Sequence, residues 1–294
     1  MTYSNPLADS APTDVEDREL IQLVHSGSKA ALELLISRHQ GWIYNIALRM
    51  VCQPQDAEDA TQDILIKVIT RLSTFRGESA FRTWLYRLAF NHLLNMKRTH
   101  IETRWTSFED YGRALDNTPD ADLADPTSVP PDVGLLVYEA RIGCTTGMLL
   151  CLDREQRLIY VLGEIFGATD RVGAELLEIS RDSFRQKLAR ARRDLNNFVQ
   201  DKCGLVKASN PCQCARKTQG FIDAGYINPH KLLFARERLT QIRDIAERQA
   251  DDLDALDAAY AEIHREHPFQ DSPDFFASLR ALIERTDFRS ALES

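Results

Sequence analysis

Apolar residues in this chain recur at three- and four-residue spacing wherever they cluster, and that period leaves little room for a sheet. Leu20, Ile21, Leu23 and Val24, then Ala31, Leu34 and Leu35, follow it around a break at residues 25–28, where Ser28 is placed to cap a second helix. The pattern continues over residues 42–51 and stops at Gln53-Pro54, because the residue before a proline is pushed out of the α region. A long helix is predicted from a cap at Asp56 to about Leu72, with Ile64, Leu65, Val68, Ile69 and Leu72 inward. Another is predicted from about Ser79 to Arg98. Alternating β-branched runs and Asn-Gly turns are scarce, so the predicted fold class is all-α.

Charge is distributed unevenly along the 294 residues, and its position says more than the net value of -8. Glu109, Asp110, Asp116, Asp120, Asp122, Asp125, Asp132 and Glu139 are set against Arg113 alone. The same stretch carries Pro119, Pro126, Pro130 and Pro131 and breaks every periodicity, so 103–134 is predicted to be a flexible acidic linker. Farther on, Arg181, Arg185, Lys187, Arg190, Arg192 and Arg193 are set against Asp182. A short helix over about 170–177, a turn at Glu178-Ile179-Ser180 and this basic helix form the layout of a helix-turn-helix. A locally basic helix can bind DNA while the whole chain stays acidic. The expected organisation is an N-terminal helical domain over 15–102, the linker over 103–134, a second helical domain over 135–200 and a cysteine-containing helical extension over 201–294.

Two stretches resemble the extracytoplasmic-function group of bacterial RNA polymerase sigma factors. The first is Asp56-Ala57-Glu58-Asp59-Ala60-Thr61-Gln62-Asp63, followed by a segment from Phe75 to Asn91 holding Phe75, Gly77, Ser79, Phe81, Trp84, Leu85, Ala89 and Asn91. The second runs from Leu152-Asp153-Arg154-Glu155-Gln156-Arg157 to a basic helix over 180–192. The resemblance implies two sigma domains, no catalysis, and core RNA polymerase and promoter DNA as partners. It assigns polymerase binding to Asp56, Asp59, Gln62 and Asp63, with a -10-type element met by the first domain and a -35-type element by the second. The basic helix departs from the group's pattern at Asp182, Phe184, Gln186 and Lys187, and so does Gly173 with its neighbours in the preceding helix.

Residue chemistry supplies its own reading of these segments. Asp56, Asp59 and Asp63 at i, i+3 and i+7 share one side of a helix with Gln62 adjacent, which is either a solvated face or a row of acceptors for a basic partner. Arg76, Ser79, Arg82, Thr83, Arg87 and Asn91 are candidate DNA contacts, since cations and aromatic rings together suit a melted strand. Trp84, Leu85 and Leu88 are expected in the core. In the basic helix, Ser183, Arg185, Gln186, Lys187 and Arg190 are candidates for base edges or phosphates, and Arg192 with Arg193 for the backbone. A helix-turn-helix regulator acting without polymerase remains the alternative, and only the face at residues 56–63 separates the two.

No P-loop, HExxH or GxSxG is present, so an enzyme is not expected. Cys52, Cys144 and Cys151 sit among apolar residues and are expected to pack. Cys203, Cys212 and Cys214 lie in a loop and are candidate ligands for zinc or copper, with a fourth donor from His230 or the His264/His267 pair; a redox or an inert role stays open. No cofactor is required by this reading. A helical tail over about 229–292, with Leu239, Ile242, Ala246, Leu253, Leu256, Tyr260 and Ile263, then Phe275, Phe276, Leu279, Leu282 and Ile283, is expected to bury an apolar stripe. It could do so as a stabilising pair, as a dimerising hairpin, or by docking within the chain to control access to polymerase or promoter. The longest uncharged apolar stretch, 142–152, is short of a bilayer span, and the first twenty residues lack a secretory pattern, so no membrane partner and a cytoplasmic location are expected.

Overall fold

The computed structural model describes residues 5–9, 13–121, 133–234, 262–265, 267, 269–277 and 279–280. In chain order its helices are α1 (Thr13–His25), α2 (Lys29–Val51), α3 (Pro54–Arg71), α4 (Phe81–Asn95), α5 (His100–Arg104), α6 (Phe108–Asn117), α7 (Val133–Met148), α8 (Arg154–Tyr160), α9 (Asp170–Leu177), α10 (Arg181–Lys202) and α11 (Cys214–Asp223). Among the described residues there is no strand, only an isolated bridge between Cys203 and Cys212, so the fold is all-α as predicted. The chain divides into two compact units, one of 1–97, 168–184 and 271–294, the other of 98–167 and 185–270. The division falls inside α10, between Phe184 and Arg185.

The first unit is built on α2. Gly27 takes φ 93, a conformation that glycine enters without a Cβ clash, and Ser28 then caps α2 by accepting from the Ala31 amide at 3.3 Å. Cys52 ends α2 in the left-handed region, returning its N–H to the Leu48 carbonyl at 2.8 Å. Trp42, Ile43 and Ile46 of α2 are buried with Ile64, Leu65 and Val68 of α3 and Leu85 and Phe90 of α4. Each such side chain contributes about 1.5–3 kcal/mol on burial. Asp17 is wholly buried, and accepts from Arg38 at 3.3 Å while meeting His39 Nε2 at 3.0 Å, which fixes α1 on α2. Asp56 does not cap α3. Gln53 holds that position and Pro54 opens the helix, since proline has no N–H to satisfy there, which leaves Asp56 in the first turn where a negative charge suits the helix dipole.

The second unit shows that part of the expected linker is folded. Thr99 and Glu102 form a reciprocal capping box at the start of α5, and Ser107 caps α6 by accepting from the Asp110 amide at 3.1 Å. These local hydrogen bonds outweigh the acidic excess, and Tyr111 and Leu115 of α6 are buried. Residues 122–132 of the linker lie outside the described residues. Glu102 is buried, and its carboxylate accepts from Arg154 Nη2 at 2.6 Å and from Arg157 Nη1 at 2.9 Å, tying α5 to α8. Burial alone would raise its pKa, but the hydrogen bonds from Arg154 and Thr99 and the nearby Arg157 charge hold it down to about 2.

Gly163, in the turn that follows α8, lets that turn approach α10, for a Cβ there would stand 2.8 Å from Leu188. Val133–Cys151 is longer than the apolar stretch read from the sequence and passes for a membrane span by length and composition only, which is weak evidence for one. That span is 56% buried, the condition of a core helix. Within the tail, 235–261 and 281–294 lie outside the described residues, and with them Leu239, Ile242, Ala246, Leu253, Leu256, Tyr260, Leu282 and Ile283. Ile263, Phe275, Phe276 and Leu279 are buried.

Candidate nucleic-acid interface

The acidic face of α3 forms as its spacing requires. Asp59 and Asp63 are exposed, and Asp56 and Gln62 are half-buried, while Ala57, Ala60, Thr61 and Ile64 turn inward. Asp63 stands 3.9 Å from His92 Nε2. Lys67 meets the other ring nitrogen, Nδ1, at 2.5 Å. Burial first, and the Lys67 charge second, push the His92 pKa down, with Asp63 opposing.

Below that face, α3 and α4 enclose a groove of about 570 Å³. Lys67 and Arg71 line it from α3, one turn apart, and Arg87, Asn91 and Asn95 line it from α4, each one turn from the next. Trp84 and Leu88, expected in the core, are half-buried on this groove instead, whereas Leu85 is buried. Trp84 keeps its place by packing against Phe75 and Phe81, both with ring centroids 5.7 Å away. Cations, amide groups and an aromatic ring at one groove are the combination that holds phosphates and unstacked bases. Sequence reasoning missed Lys67, Arg71 and Asn95, although the i, i+4 spacing of the first two and the i, i+4, i+8 run of Arg87, Asn91 and Asn95 was there to be read.

Arg82, Thr83 and Arg87 have partners within the first unit. Arg82 donates to the carbonyls of Pro6 at 2.8 Å and Ala8 at 2.6 Å. Thr83 is buried and donates to Glu175 Oε1 of α9 at 3.1 Å. Arg87 donates to the Glu175 carbonyl from Nε at 3.1 Å and from Nη2 at 2.9 Å, with Glu178 3.5 Å away. Arg76 is exposed and Ser79 half-buried ahead of α4, and Asn91 is exposed.

The helix-turn-helix has the predicted bounds. Thr169 caps α9, Glu178 ends it at φ 56, and Ser180 caps α10 by accepting from the Ser183 amide at 3.1 Å. Gly173 and Phe184 are complementary: a Cβ on Gly173 would lie 2.2 Å from the Phe184 ring, so the large ring fills the space that glycine leaves. On α10, Arg185, Gln186 and Arg190 are exposed and Ser183 is half-buried. Lys187 is paired with Glu155 and Arg192 with the buried Glu164, the latter donating from Nε at 2.6 Å. Arg193 is exposed beside Asp194 at 3.8 Å.

Cys203 and Cys212 are brought side by side by their bridge, with the Gly204 amide donating to the Cys212 carbonyl at 2.9 Å, and Cys214 opens α11. The expected histidine donors are elsewhere. His230 is exposed in its own turn, and His267 spends both ring nitrogens on threonines, Nε2 on Thr145 at 2.5 Å and Nδ1 on Thr146 at 3.3 Å. His264 packs edge-on against Tyr160 and His267. Among the described residues no group of three or more His, Cys, Asp or Glu stands ready-made around a metal position.

The chain is similar to known proteins over part of its length. The Sigma-70 region 2 family matches residues 35–101. The RNA polymerase sigma-H factor of Pseudomonas aeruginosa is 41% identical over 83 residues, 28% of this chain and 43% of that protein. The ECF RNA polymerase sigma-E factors of Haemophilus influenzae and Escherichia coli K12 are 26% and 29% identical, each over 63% of this chain and over 95% and 94% of their own lengths. Among solved structures, CnrH in complex with the cytosolic domain of CnrY is 24% identical with a TM-score of 0.43, covering 63% of this chain and 97% of that one.

Proposed function

Since the chain belongs to the ECF-type RNA polymerase sigma factors, a group that directs promoter-specific transcription initiation through core RNA polymerase, we propose how its own residues divide that work. Asp56, Asp59, Gln62 and Asp63 of α3 meet a basic surface of core polymerase. The groove between α3 and α4 takes the melted strand of a -10-type element, with Lys67, Arg71 and Arg87 on phosphates and Trp84, Asn91 and Asn95 beside bases. Arg76 and Ser79 extend that path ahead of α4. The exposed row Arg185, Gln186 and Arg190 of α10, with Ser183 beside it, enters the major groove of a -35-type element, where arginine pairs bidentately with guanine. Lys187 and Arg192 contribute to DNA binding only by exchanging Glu155 and Glu164 for phosphate.

The observation that carries this reading is that one family-matched segment, 35–101, holds both the acidic α3 face and most of the groove beneath it. A regulator working without polymerase would leave the α3 face without a partner. The chain acts as a non-enzymatic specificity subunit in the cytoplasm, where its two partners are. Residues 15–102 serve polymerase and the -10-type element, 135–200 the -35-type element, and 201–294 control access through docking within the chain. The test is reconstituted transcription: Gln62→Ala with Asp63→Ala is expected to weaken core binding, and Arg185→Ala to leave core binding alone while losing promoter discrimination. Core binding that survives the double change would remove α3 from the reading.

A further inference from the structure

Cys144, which its apolar neighbours marked as a packing residue, lines the same small pocket as Cys203, Cys212 and Cys214. The residues come from four places in the second unit: Cys144 from the C-terminal half of α7, Cys203 from just beyond α10, Cys212 from the loop and Cys214 from the first turn of α11. All four thiols are free, Cys203 and Cys212 are buried, and the enclosed space is about 10 Å³, about the volume needed for one small occupant. We propose that Cys144, Cys203, Cys212 and Cys214 close on a single zinc ion as a four-thiolate site that staples the loop and α11 to α7.

Three observations carry the assignment beyond the cysteine spacing. First, the donor set is all sulfur, which selects zinc or cuprous ion over the oxygen-seeking magnesium and calcium. Second, Arg141, one turn before Cys144, lines the pocket with Lys202, which also holds Asp116 at 2.7 Å, so cationic groups border the place where a zinc with four thiolates would leave a charge of about -2. Third, the loop is held as a unit around its sulfurs. Asn210 donates to the carbonyls of Gln200 at 2.8 Å and Cys203 at 3.0 Å, and the Cys212 amide donates to the Lys202 carbonyl at 3.2 Å. Closing the set calls for the cysteines to re-aim their sulfurs by rotation about one bond.

Binding converts four thiols to thiolates and releases four protons to solvent, with no change of oxidation state. Protons compete with the metal for the four sulfurs, so occupancy falls as pH is lowered.

The experiment uses the full chain, purified with reductant and without oxygen. Added zinc is expected to bind at one ion per chain, to release protons and to raise the unfolding temperature. Cobalt in its place is expected to give the strong absorption of thiolate-to-metal charge transfer. Cys144→Ser and Cys214→Ser should each weaken zinc binding by about a hundredfold, and Cys151→Ser should leave it unchanged. Circular dichroism of the zinc-free variants checks the fold, and either of the two serine changes that keeps its helix content decides the matter. Zinc bound below one half per chain with all thiols reduced would overturn the proposal. So would wild-type affinity in Cys144→Ser, or stoichiometric cuprous binding with none of zinc.

Discussion

The guanidinium of Arg87 donates twice to the backbone carbonyl of Glu175, at 3.1 and 2.9 Å, while Thr83, one turn earlier on the same helix, donates to the Glu175 carboxylate at 3.1 Å. Side chains chemically suited to a DNA strand are thereby engaged by α9, and a strand must replace that acceptor before it can use them. Glu175→Ala with Glu178→Ala removes both carboxylates near Thr83 and Arg87. The expected result is a gain of about three- to tenfold in affinity for single-stranded promoter DNA, the return for one or two modest hydrogen bonds. Titration of a labelled oligonucleotide at fixed salt measures it, and unchanged affinity would show that these two carboxylates do not compete with the strand for α4.

Glu102 carries a separate expectation. Its folded pKa, about 2, lies below the ordinary carboxylate value of 4.5, so the unfolded chain takes up the proton first as pH falls. The stability it contributes is present above about pH 4.5 and is lost as pH drops from there toward 2. Glu102→Gln leaves Arg154 and Arg157 buried without their carboxylate and is expected to destabilise the second unit by about 3–5 kcal/mol. Denaturant unfolding of both proteins between pH 7 and 3 checks it, since the variant should lose most of the acid dependence.

His92 acts in the same direction in a higher pH range. A histidine whose folded pKa is lowered is neutral in the fold while the unfolded chain is still taking up protons. Its stabilising effect is complete above the ordinary value of 6.5 and declines as pH falls below it. Replacing it by Gln keeps an acceptor for Lys67 and is expected to flatten the stability profile between pH 7 and 5, read by thermal unfolding.

Much of this architecture was legible in the sequence because it rests on local chemistry. The 3.6-residue period and the Ser28 cap located α2, and a turn between a short helix and a basic one located α9 and α10. The helices α5 and α6 were obscured by proline and acid counts, although Thr99 with Glu102 and Ser107 with Asp110 are cap pairs at the right spacing. Other features depend on residues far apart in the chain. Nothing near Cys144 points to Cys203, Cys212 and Cys214, and nothing near Arg192 points to Glu164. Gly173 and Phe184 stood out as separate departures from the sigma pattern, and only packing reveals that one compensates the other.

That pair is testable by coupling. Gly173→Ala pushes a methyl group into the Phe184 ring and is expected to cost about 1–3 kcal/mol, the usual penalty for overpacking. Phe184→Val alone leaves a void and also destabilises. The double change should be less damaging than the sum of the two, with an interaction energy of at least about 0.5 kcal/mol. Additive losses would mean that the two residues do not share the space.

Direct binding to core RNA polymerase tests the central claim. Purified core is titrated with the full chain and with Gln62→Ala/Asp63→Ala, after unfolding curves have shown equal stability for the two. The account expects one-to-one binding by the wild type and a loss of at least about tenfold in the variant, the scale of one or two charge-assisted hydrogen bonds. Failure of the wild-type chain to bind core, or equal binding by both proteins, would contradict it.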